Sequence, residues 1–360
     1  MNVHFAYLSS AELTDIGRRR KNNEDSMISL SESGVFCVAD GMGGVQGGEV
    51  ASKAVVDALR KAFLELPEAA FAVTAEGSAT VFELALNEAS RWIKNRADAW
   101  GIHGTGSTVV GLVFDRVMPS KGIVLHAGDS RAYRLRDGNL EQLTTDHSIA
   151  AAAGLSDDST LPPMFRGVIT HAVGLDQKVS LESAHFDVAA GDIFLLCSDG
   201  LDKMLSDHRI RKIIRRHQFD ALEQIAKCLV DEAVHAGGDD NVTVIVIRVA
   251  SNLPLGSTME IPQETLALEQ RVVADPEADE LASWRDALGG ASERVNLVGD
   301  RLAGARVFSG MPSEWRGWVR SRPEIKRTVI PSGGGKLWVW LLFTFVIAGG
   351  VGAFLLWNKW

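Results

Sequence analysis

Cysteine is scarce in this sequence: three in 360 residues (Cys37, Cys197, Cys228). No pair has metal-ligand spacing and one must stay unpaired, so a disulfide framework is not expected and a reducing compartment is. Basic charge is scarce too. Lys and Arg number 37 against 46 Asp and Glu, a net charge of −9, with no extended Lys/Arg-rich block in the first 250 residues. Nucleic acid is therefore not expected as a partner, because its recognition needs a basic footprint. The nine histidines are scattered, with no HExxH and no Cys-x-x-Cys, which speaks against zinc. His103, His126 and His185 read as structural or surface residues. No Gly-x-Ser-x-Gly elbow is present, which argues against a serine hydrolase. The glycine-rich segment 41–48 fits neither a Walker loop nor the dinucleotide fingerprint. Met1 to Ser10 lacks a basic start and a continuous apolar run, so no signal peptide is expected. With 46% hydrophobic and 23% charged residues, wholesale disorder is excluded.

What is there is unevenly distributed. Residues 1–250 hold 25 Lys+Arg against 34 Asp+Glu, hence the whole net charge, while residues 251–360 hold 12 of each. Leu337 to Trp357 is a run of 21 residues with no charge and only Thr344 polar. About 20 apolar residues cross a hydrocarbon core, and Trp338, Trp340 and Trp357 sit near its ends as interfacial aromatics do. A C-terminal transmembrane helix is expected. Arg316, Arg320, Arg322, Lys326, Arg327 and Lys336 precede it and Lys359 alone follows, so the large N-terminal part should be cytoplasmic. The basic flank suits anionic membrane lipid. Between the two parts lies a proline-punctuated segment, acidic from Glu260 to Glu280 and basic towards its end. It reads as a mostly flexible tether with a short helix around Glu280–Leu288. The expected organisation is a domain over 1–250, a tether over 251–335 and a single-pass anchor over 336–360. The proteins expected in reach are those at the inner membrane.

Within 1–250, short apolar runs predict strands at Val35–Ala39, Ser107–Asp115, Gly122–Ala127, Ile193–Cys197 and Val242–Val249. Alternation about Asp137-Gly138 predicts a hairpin over Arg131–Leu143. Helical spacing predicts helices over Gly48–Leu66, Thr74–Trp100, Asp207–Arg216 and Asp220–His235. Paired helices early, clustered strands and paired helices late do not match a doubly wound parallel sheet; an antiparallel α+β core with outer helices fits better. Carboxylates recur at strand ends beside glycine: Asn23-Glu24-Asp25, Asp40-Gly41-Met42-Gly43-Gly44, Gly128-Asp129, Ser198-Asp199-Gly200 and Asp239-Asp240-Asn241. One Asp-Gly alone is a turn signal. Several at sheet ends suit a hard cation, and oxygen-only donors select Mg²⁺ or Mn²⁺.

The ordered set resembles the metal-dependent serine/threonine protein phosphatase family (type 2C, PPM) in its bacterial form. Its pieces are Thr14-Asp15-Ile16-Gly17, Arg20-x-x-Asn23-Glu24-Asp25, DGMGG at 40–44, GTGST at 104–108, AGDSRAY at 127–133, TTDHS at 144–148, HAVG at 171–174, LLCSDGL at 195–201 and DDNVTVIV at 239–246. The resemblance covers about residues 5–250. It implies a four-layer α/β/β/α sandwich of two antiparallel sheets flanked by helices. It implies two Mn²⁺ or Mg²⁺ ions and a weaker third. Asp40 would bridge the two, Asp199 and Asp240 would complete one, and the Gly41 carbonyl and Glu24 would complete the other. Asp25 would stand behind them, and Asp129 would hold the third ion. Hydrolysis of phosphoserine and phosphothreonine would proceed by in-line attack of a hydroxide shared between two cations about 3.5–4 Å apart. Arg20 would grip the phosphate bidentately, as lysine does less well. Phosphorylated proteins would be the substrates and a serine/threonine kinase the opposing enzyme. Three positions depart from the family pattern. Met42 stands where eukaryotic members have histidine. Val45 stands where bacterial members often have it. Lys203 takes the place of an acidic ligand of the third ion, with Asp202 one residue early. These departures leave a second reading, a catalytically weak pseudophosphatase acting as a membrane-anchored phosphoprotein-binding module. Residues 150–166 correspond to the family's mobile flap.

Overall fold

A computed structural model describes residues 7–43, 47–64, 74–101, 104–155 and 159–252 of the chain. In order they form β1 (Leu8–Asp15), β2 (Asp25–Leu30), β3 (Val35–Met42), α1 (Gly47–Leu64), α2 (Ala75–Trp100), β4 (Gly106–Ser107), β5 (Val109–Phe114), β6 (Lys121–Ala127), β7 (Arg131–Arg136), β8 (Asn139–Gln142), α3 (Ile149–Ala152), β9 (Glu182–Asp187), β10 (Ile193–Cys197), α4 (Asp199–Asp202), α5 (Asp207–His217), α6 (Leu222–Ala236) and β11 (Val242–Val249). One antiparallel sheet runs β1-β11-β10-β7-β8 and the other β2-β3-β5-β6-β9, with β4 against the end of β3.

Side-chain alternation builds three apolar layers from these strands. Along β3, Val35, Cys37 and Ala39 face α1 and α2, whereas Phe36 and Val38 face the other sheet. Along β11, Val242, Val244 and Val246 join α5 and α6, whereas Ile245, Ile247 and Val249 face inward. Both faces are buried, which is why these strands read as unbroken apolar runs. Between the sheets Phe114 meets Phe36, Phe186 and Phe194 edge-on, with ring centroids 5.9, 5.6 and 5.4 Å away. Each such fully buried ring contributes about 1.5–3 kcal/mol by leaving water.

Two antiparallel sheets flanked by helices are thus as expected. β1, β2 and β9 were not read from the sequence. All three lie at sheet edges, and β9 buries only Phe186. The segments assigned to the tether and the anchor lie, from residue 253 on, outside the described residues, as do Val45 and His103. Among the described residues no helix is long and apolar enough to cross a membrane.

Candidate metal centre

The ends of β3, β6 and β10 and the start of β11 bring the sequence-selected carboxylates together. The β2–β3 register sets Asp25 opposite Asp40. Asp40 is held through its backbone: its N–H donates to Thr108 Oγ1 (3.1 Å), and its carbonyl accepts from Thr108 N (2.8 Å) and Ser107 Oγ (3.1 Å). The GTGST segment therefore fixes the strand end that carries Asp40. Asp25 Oδ2 accepts from Ser198 Oγ (2.8 Å) and Thr243 Oγ1 (2.6 Å), so it ties the β10 and β11 ends to β2. Asn241 Oδ1 accepts from Glu24 N (2.8 Å), while its amide donates to the carbonyls of Ile16 and Asn22. Thr108, Ser198, Asn241 and Thr243 stand inside the sequence motifs, yet the sequence reading gave them no role. Their signal is a short polar side chain where an apolar strand begins or ends.

Two glycines let the backbones meet. A Cβ on Gly41 would lie 2.1 Å from Gly48 O and 2.6 Å from Glu24 O; one on Gly48 would lie 2.9 Å from the Glu24 carboxyl carbon. Only glycine fits there, and the Glu24 carboxylate lies directly over this junction.

The electrostatics are those of crowded like charge that the chain compensates only in part. Burial, then the neighbouring Asp25, Asp199, Asp129 and Asp240, pushes the Asp40 carboxyl well above the usual carboxylate range. Burial lifts Asp25 to about 6 despite its two hydroxyl donors, and burial with Asp199 lifts Asp129 to about 7. Glu24 is raised by burial as well. Asp199 Oδ1 is buried and accepts no hydrogen bond. An all-oxygen set with an orphaned carboxylate oxygen and mutual repulsion fits hard divalent cations, which would supply both the missing ligand partner and the missing charge.

Two cationic side chains reach this cluster. Arg20 Nη2 donates to Asp240 Oδ2 at 2.7 Å, and its Nη1 lies 3.9 Å from Glu24 Oε2. Its neighbour Arg19 instead pairs with Asp239 at 2.7 Å. Lys203 pairs with Asp199, and its charge also acts on Asp129 and Asp40. Asp202 turns its Oδ2 to Arg131 Nη1 at 3.2 Å, while its Oδ1 is buried and accepts no hydrogen bond. Arg131 in turn clamps Asp146 with bonds of 2.9 and 2.7 Å.

The fold also gathers histidines that looked scattered. His126 and His147 stack with centroids 4.4 Å apart, His171 lies 4.4 Å beyond His147, and His147 Nε2 is 3.0 Å from Glu182 Oε2. His126 is therefore neither isolated nor superficial, whereas His185 is an exposed residue 3.8 Å from Glu76.

Comparison with known proteins decides the family. The model of the family "Protein phosphatase 2C" matches residues 17–236. The chain belongs to the protein phosphatase 2C family. With that family it is a metal-dependent protein serine/threonine phosphatase. The serine/threonine phosphatase Stp of Listeria welshimeri is 30% identical over 243 residues, which are 65% of this chain and 93% of that one. The structure of PppA, described as a key regulatory component of T6SS in Pseudomonas aeruginosa, aligns with a TM-score of 0.60 at 33% identity over 68% of this chain and 98% of that one. The catalytic domain of the serine threonine protein phosphatase PstP in complex with two manganese ions aligns with a TM-score of 0.57 at 32% identity, covering 68% and 98%. The expected family and enzyme class are thereby met.

Proposed function

We propose that this phosphatase 2C domain hydrolyses phosphoserine and phosphothreonine on proteins at the carboxylate centre, with two divalent cations. Asp40 would be shared, Asp199 and Asp240 would complete one cation's ligands, and the Gly41 carbonyl and Glu24 the other's. When bound, Mn²⁺ or Mg²⁺ supplies Lewis acidity and neutralises charge on the transferring phosphoryl group. The observation that carries this reading is the gathering of five mutually repelling carboxylates, one with an orphaned oxygen, at one end of the sandwich. Arg20, half-exposed and already on Asp240 and near Glu24, would exchange part of this pairing for the oxygens of a phosphate dianion. Asp25 would hold the strand ends in register rather than touch substrate. Asp129 beside Lys203 would carry a fixed ammonium in place of a third cation. Activity of the full chain on a phosphothreonine peptide with Mn²⁺, lost in Asp40→Asn, tests this; full activity in that variant overturns it.

The apolar run Leu337–Trp357 and its basic flank support anchoring to the cytoplasmic face of the inner membrane as a single-pass protein. The tether would then confine the domain to a membrane-proximal shell, where the substrates of a serine/threonine kinase would be met at raised effective concentration. Membrane fractionation checks this: the full chain sediments with membranes and a 1–335 truncation does not. The second reading, a phosphoprotein-binding module without strong catalysis, draws on the Lys203–Asp199 pair. Calorimetry separates the two, because that module would bind no Mn²⁺.

A further inference from the structure

The stem of the loop between His147 and Thr170 is closed by backbone bonds: Thr170 N to His147 O (2.8 Å), Ile149 N to Val168 O (3.0 Å), and the Ser148–Ile169 bridge. Beneath it, on the edge of the second sheet, His126 of β6 stands directly opposite Glu182 of β9. One donor atom from each of His126, His147 and Glu182 lies within 4.8 Å of the other two.

His126 is 2% exposed. Its Nε2 is 2.8 Å from the Thr145 carbonyl, so Nε2 carries the proton and donates. That leaves the Nδ1 lone pair free, and Nδ1 is buried with no hydrogen-bond partner. An imidazole whose Nε2 donates to a backbone carbonyl while its Nδ1 is bare has the tautomer and the outer hydrogen bond of metal-ligating histidines. His147 Nε2 is 3.0 Å from Glu182 Oε2, and a cation between them would replace the proton they share. The exchange releases only the long 3.4 Å contact from Gly128 N to His147 Nδ1.

We propose that His126, His147 and Glu182 bind one transition-metal ion of the zinc class at this stem, separate from the carboxylate centre. Two imidazoles and one carboxylate select Zn²⁺, Co²⁺ or Ni²⁺ over Mg²⁺, which prefers an all-oxygen shell. The fourth place falls to water or to His171, whose ring lies beside His147. Burial holds His126 and His171 below the ordinary imidazole range, and Glu182 lies below the carboxylate range because His147 bonds it, so all three favour their metal-binding forms. The bound ion fastens the loop stem at His147 to β6 and β9.

The test uses the untagged full chain in excess Mg²⁺, titrated with Co²⁺ as the probe. One equivalent should give the intense visible absorption of four-coordinate cobalt. The signal should persist in Asp40→Asn. It should need at least about tenfold more Co²⁺ in Glu182→Gln and in His126→Gln. Glu182 is largely exposed, so its amide variant keeps the fold and reports on ligation alone. A cobalt signal unchanged in Glu182→Gln, or abolished in Asp40→Asn, overturns the site, as does absence of the four-coordinate band.

Discussion

Carboxylates are buried in two parts of this sandwich, and the fold treats them in opposite ways. Asp192, 1% exposed, takes Arg136 Nε on Oδ1 (2.8 Å) and both Arg136 Nη2 (2.6 Å) and Ala189 N (2.8 Å) on Oδ2. Asp115, fully buried, accepts Val117 N and Met118 N on one oxygen and Ala75 N on the other, each within 2.8 Å. Asp40, Asp199, Asp129 and Asp240 instead face one another, and Asp199 leaves an oxygen without a partner. A carboxylate that serves stability has its charge and lone pairs answered by the chain. One that serves a metal-dependent reaction is answered only in part, as Asp240 is by Arg20 and Asn241 N and Asp199 is by Lys203, until a cation arrives. Crowding of carboxylates with incomplete compensation, rather than burial itself, therefore separates the site from the scaffold.

The sharpest way to break that contrast is to neutralise one member of each set. Asp40→Asn should lower phosphopeptide hydrolysis by roughly a thousandfold, the scale of losing a group that stabilises transition-state charge. It should also raise the melting temperature of the metal-free protein, because it relieves repulsion among buried carboxylates. Asp192→Asn should do the reverse, leaving activity unchanged and lowering stability by about 2 kcal/mol as Arg136 loses its partner. Turnover assays and thermal melts on both variants decide it. A destabilised, active Asp40→Asn protein would erase the distinction.

The pH dependence sharpens the same point. In the metal-free protein Asp25 and Asp129 bind protons more tightly than in the unfolded chain, near 6 and 7 respectively. Their folded-state values are raised, so the folded state holds extra protons between about pH 4 and pH 7. Metal-free stability should therefore fall as pH rises through that window, by up to a few kcal/mol. Cations that neutralise the cluster cancel this loss, so the Mn²⁺-induced rise in melting temperature should be larger at pH 7.5 than at pH 5.5. An equal rise at both values would mean that the cluster is not where Mn²⁺ acts.

How much of this was legible beforehand follows from the same physics. β10 and β11 were read to the residue because both their faces are buried and Ser198-Asp199-Gly200 and Asn241 mark their ends. β1, β2 and β9 escaped because an edge strand solvates much of its surface and so mixes polar residues into its pattern. Asp40, Asp199 and Asp240 were legible because each sits beside a glycine or asparagine at the end of an apolar run. The hydroxyls of Ser198 and Thr243 were not, since their meaning depends on Asp25, more than 170 residues away in the chain. His126, His147 and His171 were passed over for the same reason: no local spacing announces a cluster that a β6–β9 pairing and a loop stem assemble.

Lys203, like Arg20 on Asp240, is a place where the two treatments of carboxylate meet. It compensates Asp199 in part, as Arg136 does Asp192, yet it stands in the metal centre. Its ammonium holds one Asp199 oxygen while the other remains bare. A cation approaching Asp199 must displace or repel it, and the side chain is half-exposed, so solvent screens much of that repulsion. Removing the charge while keeping the length, in Lys203→Met, should tighten Mn²⁺ binding about tenfold, which is about 1.4 kcal/mol. Calorimetric titration with Mn²⁺ measures it directly. Weaker binding in Lys203→Met would instead make the lysine a positioning residue that sets the Asp199 carboxylate for the metal, and the centre would then be partly built by the chain before any cation binds.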